Sequence, residues 1–251
     1  VYSSAAIAFR NQGLAIVLNR VMGPVINAAY GIGSQISGML AFVSSSFNNA
    51  ISPQLMASEG KGDRERMWKL ATVNSKVSFL LLSMVGIPAM FEMPELLKLW
   101  LGDVPQNTVY FGCTFLMMQT VDQWSGGLGL ANRAMGNIGK YTLVTYTPKL
   151  LVVPLSFVVL KQHMSLMTVC GIMLFFEALC MFLRIHLLRN TDGFSPKEYC
   201  RTVILKSLPP CVVSSAVCYM LISPSCNSFM ARCIQIVDLP VPPFSLLTTM
   251  I

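Results

Sequence analysis

Ala71-Thr-Val-Asn-Ser-Lys-Val-Ser-Phe-Leu-Leu-Leu-Ser-Met-Val-Gly-Ile-Pro-Ala-Met-Phe91 is a 21-residue run with a single charge, Lys76. A helix needs ~20 predominantly apolar residues to cross a hydrocarbon core ~30 Å thick. Six further stretches of the same character divide the chain: Ser3 to Val21, Val25 to Ala50, Thr108 to Leu130, Tyr141 to Leu160, Leu166 to Leu188 and Val203 to Ile222. With 54% hydrophobic and only 12% charged residues, the chain is too apolar for an ordinary soluble domain. The pattern predicts an all-α polytopic membrane protein of about seven transmembrane helices.

The basic residues gather on alternate connections. One set holds Lys61, Arg64, Arg66 and Lys69, then Arg133 and Lys140, then Arg184, Arg189, Lys197, Arg201 and Lys206. The other set holds Arg20, Lys98 and Lys161. Short basic connections are retained in the cytoplasm, so this eleven-to-three split puts the residues before the first span on the cytoplasmic side. The net charge of +7 is then explained by loops beside anionic headgroups, and nucleic acid is not an expected partner.

Val1 is followed by no charged n-region, so the first span does not read as a signal peptide. Residues 1–222 form the expected helical bundle. After Ser223 the pattern decays into a Pro-rich tail, Asp238-Leu-Pro-Val-Pro-Pro-Phe244, which does not suit a membrane-spanning helix. An odd span count with ragged ends is what a fragment of a larger transporter would show.

Enzyme signatures are absent: no P-loop, GxSxG, HExxH or Gly-rich dinucleotide turn. Gly126-Gly-Leu-Gly129 lies at the inner end of an apolar span, where helix packing and a tight turn explain it. The eight cysteines form no CxxC pair, and His163 and His186 stand alone. Neither a metal nor another cofactor is expected, and most of the thiols read as small buried hydrophobes. Cys226 and Cys233 form the one candidate pair.

The second span carries small residues every fourth position, Ala29, Gly33, Ser37, Ala41 and Ser45, a stripe that lets a neighbouring backbone come close. Beside it run Asn27, Ser34, Gln35, Asn48 and Asn49, amides and hydroxyls that need partners or water within hydrocarbon. Interhelical hydrogen bonding explains them, and so does the wall of an aqueous cavity. Arg10, Lys76 and Lys149 also fall inside spans, where a charge costs ~2.5–3.5 kcal/mol or more. Lys76 is near enough to its span's end to snorkel. Lys149, between Pro148 and Pro154, either opens to a cavity or pairs internally with Glu177 or Asp122. Arg10, amid Asn11, Gln12 and Gly13, has no helix end nearby and is the leading cavity candidate. Asp122 and Glu177 are each either an ion relay or a structural counter-ion. Pro94-Glu-Leu-Leu-Lys-Leu-Trp-Leu-Gly102 has the pattern of a short amphipathic interfacial helix.

Several ordered segments carry a resemblance. Asn11-Gln-Gly-Leu-Ala-Ile-Val-Leu-Asn19, Gly23-Pro-Val-Ile-Asn-Ala-Ala-Tyr-Gly-Ile-Gly-Ser-Gln35, Ser52-Pro-Gln54, Glu59-Gly-Lys-Gly-Asp63, Leu99-Trp-Leu-Gly-Asp-Val-Pro105 and Gly136-Asn-Ile-Gly-Lys-Tyr141 follow one another. Pro154-Leu-Ser156 and Gly193-Phe-Ser195 complete the set. Over roughly residues 4 to 210 the chain resembles the second half of Wzx-type polysaccharide flippases, of the multidrug/oligosaccharidyl-lipid/polysaccharide superfamily, and the Bacteroidetes members most. The resemblance implies the C-terminal lobe of a two-lobed transporter in the bacterial cytoplasmic membrane, completed by an N-terminal lobe. It implies movement of undecaprenyl-diphosphate-linked oligosaccharide between leaflets by alternating access, driven by a coupling proton or sodium ion. Arg10 stands where many relatives carry a basic residue before the Gln-Gly pair. With Gln12, Asn27, Gln35, Asn48 and Lys149 it forms the expected substrate cavity, and Asp122 and Glu177 stay the candidates for an ion relay, with the counter-ion role open to each. A drug/cation antiporter of the same superfamily and a non-functional truncated product are the alternatives. A membrane glycosyltransferase or polymerase would need a longer outward loop than Glu92 to Asn107.

Overall fold

The computed structural model describes residues 2–136, 138–162 and 164–222, and every regular element among them is helical. His163, Cys226, Cys233 and the Pro-rich tail lie outside the described residues. In chain order the α-helices are α1 (Tyr2–Met22), α2 (Pro24–Gly60), α3 (Arg64–Phe91), α4 (Met93–Leu101), α5 (Thr108–Gln123), α6 (Gly126–Ala134), α7 (Ile138–Lys161), α8 (Leu166–Leu187), α9 (Pro196–Tyr199) and α10 (Lys206–Ile222). A π-helical stretch, Cys200–Leu205, joins α9 to α10.

Local sequence fixes the breaks. Gly23 takes φ 91°, which its missing side chain permits, and Pro24 opens α2 with its ring preset for the first turn. The side chain of Asp63 caps α3 by accepting from the Arg66 amide at 3.1 Å, which contributes about 1 kcal/mol.

Four helical segments are long and apolar enough to cross a membrane: α3, α7, α8 and the run Pro196–Met220. The other three expected spans depart for identifiable reasons. α1 is long enough but carries Arg10, Asn11, Gln12, Asn19 and Arg20. α2 is rich in Asn, Gln and Ser and runs past Ala50 to Gly60. The stretch Thr108 to Leu130 is not one helix: it breaks at Trp124–Ser125 into α5 and α6.

Two apolar cores lie one above the other. The one towards the end covered by α4, called the outer core, joins α1, α2, α5, α7 and α8 through Leu14, Tyr30, Phe111, Phe115, Val152 and Met173. The inner one joins α2, α3, α6, α8 and the start of the last span through Leu55, Trp68, Leu128, Met181, Tyr199 and Val203. Between them runs a band of buried polar side chains that includes Asn74, Ser75, Ser125, Thr145, Lys149, Glu177 and Arg184. α4 seals the outer end by burying Met93 and Leu97 against α2, α3 and α5.

The small-residue stripe of α2 is a helix contact where it meets α5. A Cβ on Gly33 would lie 2.9 Å from Phe115 Cδ2, 3.0 Å from Phe111 Cβ and 3.1 Å from the Phe111 carbonyl carbon. Gly38, on the same helix, has nothing within 4 Å of such a Cβ. Gly33→Leu should therefore sharply reduce the monodisperse yield of detergent-purified chain, by forcing α2 from α5, whereas Gly38→Leu should purify normally. Equal yields would mean that the α2–α5 contact is not close-packed.

The connections α2–α3 and α8–α9 share one end of the bundle. Trp68 donates from Nε1 to the Asp192 carbonyl at 3.2 Å and packs on the Phe194 ring at 4.8 Å. Arg64 Nη1 lies 3.6 Å from Asp192 Oδ2. Both connections belong to the set counted as basic, but one residue of that set is misplaced. Arg184 is not a connection residue: it lies within α8 and is buried.

Candidate functional site

The site is organised by one face of α8. Glu177, Cys180, Met181, Arg184 and Ile185 are all buried, at the three-, four- and seven-residue spacings that align side chains on a helix. Glu177 and Arg184 are therefore two turns apart on the same face, ~10 Å along the axis at 1.5 Å per residue. Each is met by partners of opposite charge from other helices.

Glu177 is shared between two cations. Lys149 on α7 donates from Nζ to Oε1 at 2.5 Å, and Arg10 on α1 donates from Nη1 to Oε2 at 3.1 Å. The Arg10 Nε donates to Asn11 Oδ1 at 3.2 Å. The side chains are 11% exposed at Arg10, 7% at Lys149 and 4% at Glu177, so solvent outside the protein screens this triad little. The helix of Lys149 runs unbroken through Pro148 and Pro154. Of the roles open to Lys149, the internal pair with Glu177 is the one formed.

Arg184 makes the second cluster. Its Nη1 donates to Asp122 Oδ1 at 2.7 Å and to Ser125 Oγ at 2.8 Å, so it holds both the last turn of α5 and the break that follows. Tyr146, one turn before Lys149 on α7, links the clusters. Lys149 Nζ lies 5.5 Å and the Arg184 guanidinium carbon 5.9 Å from its ring centroid, within cation–π range. Together Arg10, Lys149 and Arg184 bring three positive charges against the two carboxylates of Asp122 and Glu177.

A cavity of about 360 Å³ adjoins this network, between the α5–α6 break and α7, with Ser3 of α1, Asn48 of α2 and Arg184 of α8 also in its wall. Asp122, Gln123, Asn132, Tyr141, Tyr146 and Arg184 supply most of its polar lining. Gln123 Oε1, the Tyr141 hydroxyl and Arg184 Nε are buried without a hydrogen-bond partner among the described residues. A space so lined is suited to water or to a polar ligand group. Asp122, with a side chain 32% exposed, lines it.

The residues singled out in the sequence do not all converge. Arg10, Lys149 and Glu177 meet directly, and Asp122 joins them through Arg184 and Tyr146. Asn48 lines the cavity and accepts from Asn74 Nδ2 at 2.8 Å. Gln12 and Gln35 are exposed, Asn27 is half-buried, and none of the three lines this cavity. Lys76 is half-buried and forms no ion pair among the described residues. Arg184, Ser125 and Tyr146 are the members not singled out beforehand. The seven-residue spacing from Glu177 was the signal for Arg184.

Among the described residues no cluster of metal-ligating side chains occurs, and six cysteines are free thiols. Compared with protein-family models, with curated proteins and with solved structures, the chain matches none of them.

Proposed function

We propose that this chain is embedded in the bacterial cytoplasmic membrane with seven crossings, α5 and α6 together forming the fourth, and serves as the C-terminal lobe of a lipid-linked oligosaccharide flippase. Its cargo would be an undecaprenyl-diphosphate-linked glycan carried from the cytoplasmic to the outer leaflet by alternating access. The observation that carries this reading is the charge imbalance inside the bundle, three cations against two carboxylates. Both carboxylates are already engaged, so the surplus positive charge favours an anion, and a diphosphate concentrates the required charge. The same surplus repels a cationic drug, which weighs against the antiporter reading.

Arg10 is the group that meets the diphosphate, since its planar fork binds two phosphate oxygens at once. Gln12 and Gln35, exposed in this chain, face the N-terminal lobe across the transport pathway. Asp122 is held by Arg184 in this structure, so it is the candidate for the coupling proton or sodium ion only in a state where that pair has parted.

Arg10→Gln separates function from stability. It leaves Glu177 paired with Lys149 and Asp122 with Arg184, a balanced network. In a full-length flippase carrying this segment, the variant should accumulate normally and lose most glycan export. Arg10→Lys should keep part of it. Export at the original rate by Arg10→Gln would reduce Arg10 to a structural partner of Glu177, an acid of this same chain.

A further inference from the structure

The fourth expected span is interrupted, and each loose backbone end of the interruption is held by a side chain from elsewhere. A helix break leaves carbonyls of the first segment and amides of the second without helical partners. Here the Tyr199 hydroxyl donates to the Trp124 carbonyl at 2.8 Å, and Ser75 Oγ accepts from the Gly127 amide at 2.9 Å. Tyr199 Oη and Ser75 Oγ are themselves 2.7 Å apart, so α3 and the start of the last span splint the break jointly. Trp124 is fixed as well, donating from Nε1 to Ser207 Oγ at 3.2 Å and stacking on Phe79 at 4.8 Å.

The two halves of the span share α2 and α3 as neighbours and differ at α8. α5 packs on α8 through Phe115, Met118, Val169 and Met173, within the outer core. α6 stays against α3, with Gly127 at the Ala71 carbonyl, and meets α8 only slightly. The polar cavity lies between the break, α6 and the facing start of α7, with Arg184 as the contribution of α8 among its lining residues. Across that space Arg184 of α8 donates to Asp122 and Ser125, at the break itself.

We infer that Arg184, Asp122 and Ser125 form a latch, and that when it opens the inner ends of α7 and α8 swing from α6 about the α5–α6 break, parting Tyr141 and Met181 from Leu128 and Ala131 within the inner core. The outer core holds α5 to α8 as the fixed side of the pivot. The splint of Ser75, Tyr199 and Ser207 keeps α6 with α3 during the movement. The latch acts between helix groups of this chain, so it does not depend on which cargo the protein carries.

Amide hydrogen exchange on the chain in lipid nanodiscs tests the latch, because local opening is read segment by segment. In Arg184→Gln, exchange in residues 126–134 and 138–145 should rise about tenfold, the size expected for loss of roughly 1.4 kcal/mol of local closure, with residues 108–118 and 166–176 unchanged. Should that variant not fold, Asp122→Asn carries the same reading, since it keeps the shape and removes the charge. Native exchange rates at the inner segments, or a uniform rise across all helices, would overturn the latch.

Discussion

Glu177→Gln is expected to be among the most damaging conservative substitutions in the chain. The carboxylate is 4% exposed and each of its oxygens receives a cation, Lys149 at 2.5 Å and Arg10 at 3.1 Å. A glutamine of the same shape offers one acceptor and no charge, so at least one buried cation loses its partner. Breaking a buried pair by removing one member costs ~3–5 kcal/mol, because the remaining charge stays desolvated. For a chain of this size that lowers the melting midpoint by roughly 10 °C. Adding Lys149→Met should recover part of the loss, since it removes one of the two stranded cations while Arg10 keeps only the new amide oxygen as a partner. A Glu177→Gln protein that melts with the native chain, assayed by scanning fluorimetry in detergent, would show that the triad is solvated through a route the burial does not reveal.

That prediction rests on a triad whose members were separately legible in the sequence but whose pairing was not. Charge inside an apolar stretch is conspicuous, so Arg10, Lys149, Asp122 and Glu177 stand out one by one. Which acid serves which base depends on how the helices are arranged, and no periodicity within a single helix encodes it. Arg184 was hidden for a different reason. It lies one turn from the inner end of its span, where a basic residue is ordinarily a headgroup anchor, and counting it with the loops masked its alignment with Glu177. Helix positions were legible to within a few residues for α7 and α8, because a long apolar run has little alternative, whereas α3 starts at Arg64, seven residues before the apolar run, on the polar turn that Asp63 caps. The break at Trp124–Ser125 was not, since Trp124 is apolar and the glycines beyond it read equally well as packing sites. Its backbone groups are satisfied by Ser75 and Tyr199, which are remote in sequence, so the cost that would forbid a break within hydrocarbon is offset by residues that no local reading brings there.

Gly127→Ala should be more damaging than its single methyl suggests, and Gly129→Ala, two residues on, should be tolerated. At Gly127 the added Cβ would collide with the Ala71 carbonyl oxygen and lie 2.7 Å from Ser75 Oγ and 2.9 Å from the Ala71 carbonyl carbon. Two of these atoms belong to the α3 backbone and cannot step aside as a side-chain tip would. α6 must therefore withdraw from α3, and the Gly127 amide loses Ser75 as it does so. Overpacking of this kind costs ~1–3 kcal/mol, and an unsatisfied buried amide adds ~1–3 kcal/mol more. At Gly129 the nearest atom to a new Cβ is the Tyr141 hydroxyl at 3.6 Å, an ordinary contact, and alanine favours the helix by up to ~1 kcal/mol. Thermal melts of the two variants should thus move in opposite directions from the native midpoint. The outcome that would refute the splinted break is Gly127→Ala melting at or above the native midpoint, because α6 would then be free to leave α3 at no cost and Ser75 and Tyr199 would be holding nothing in place.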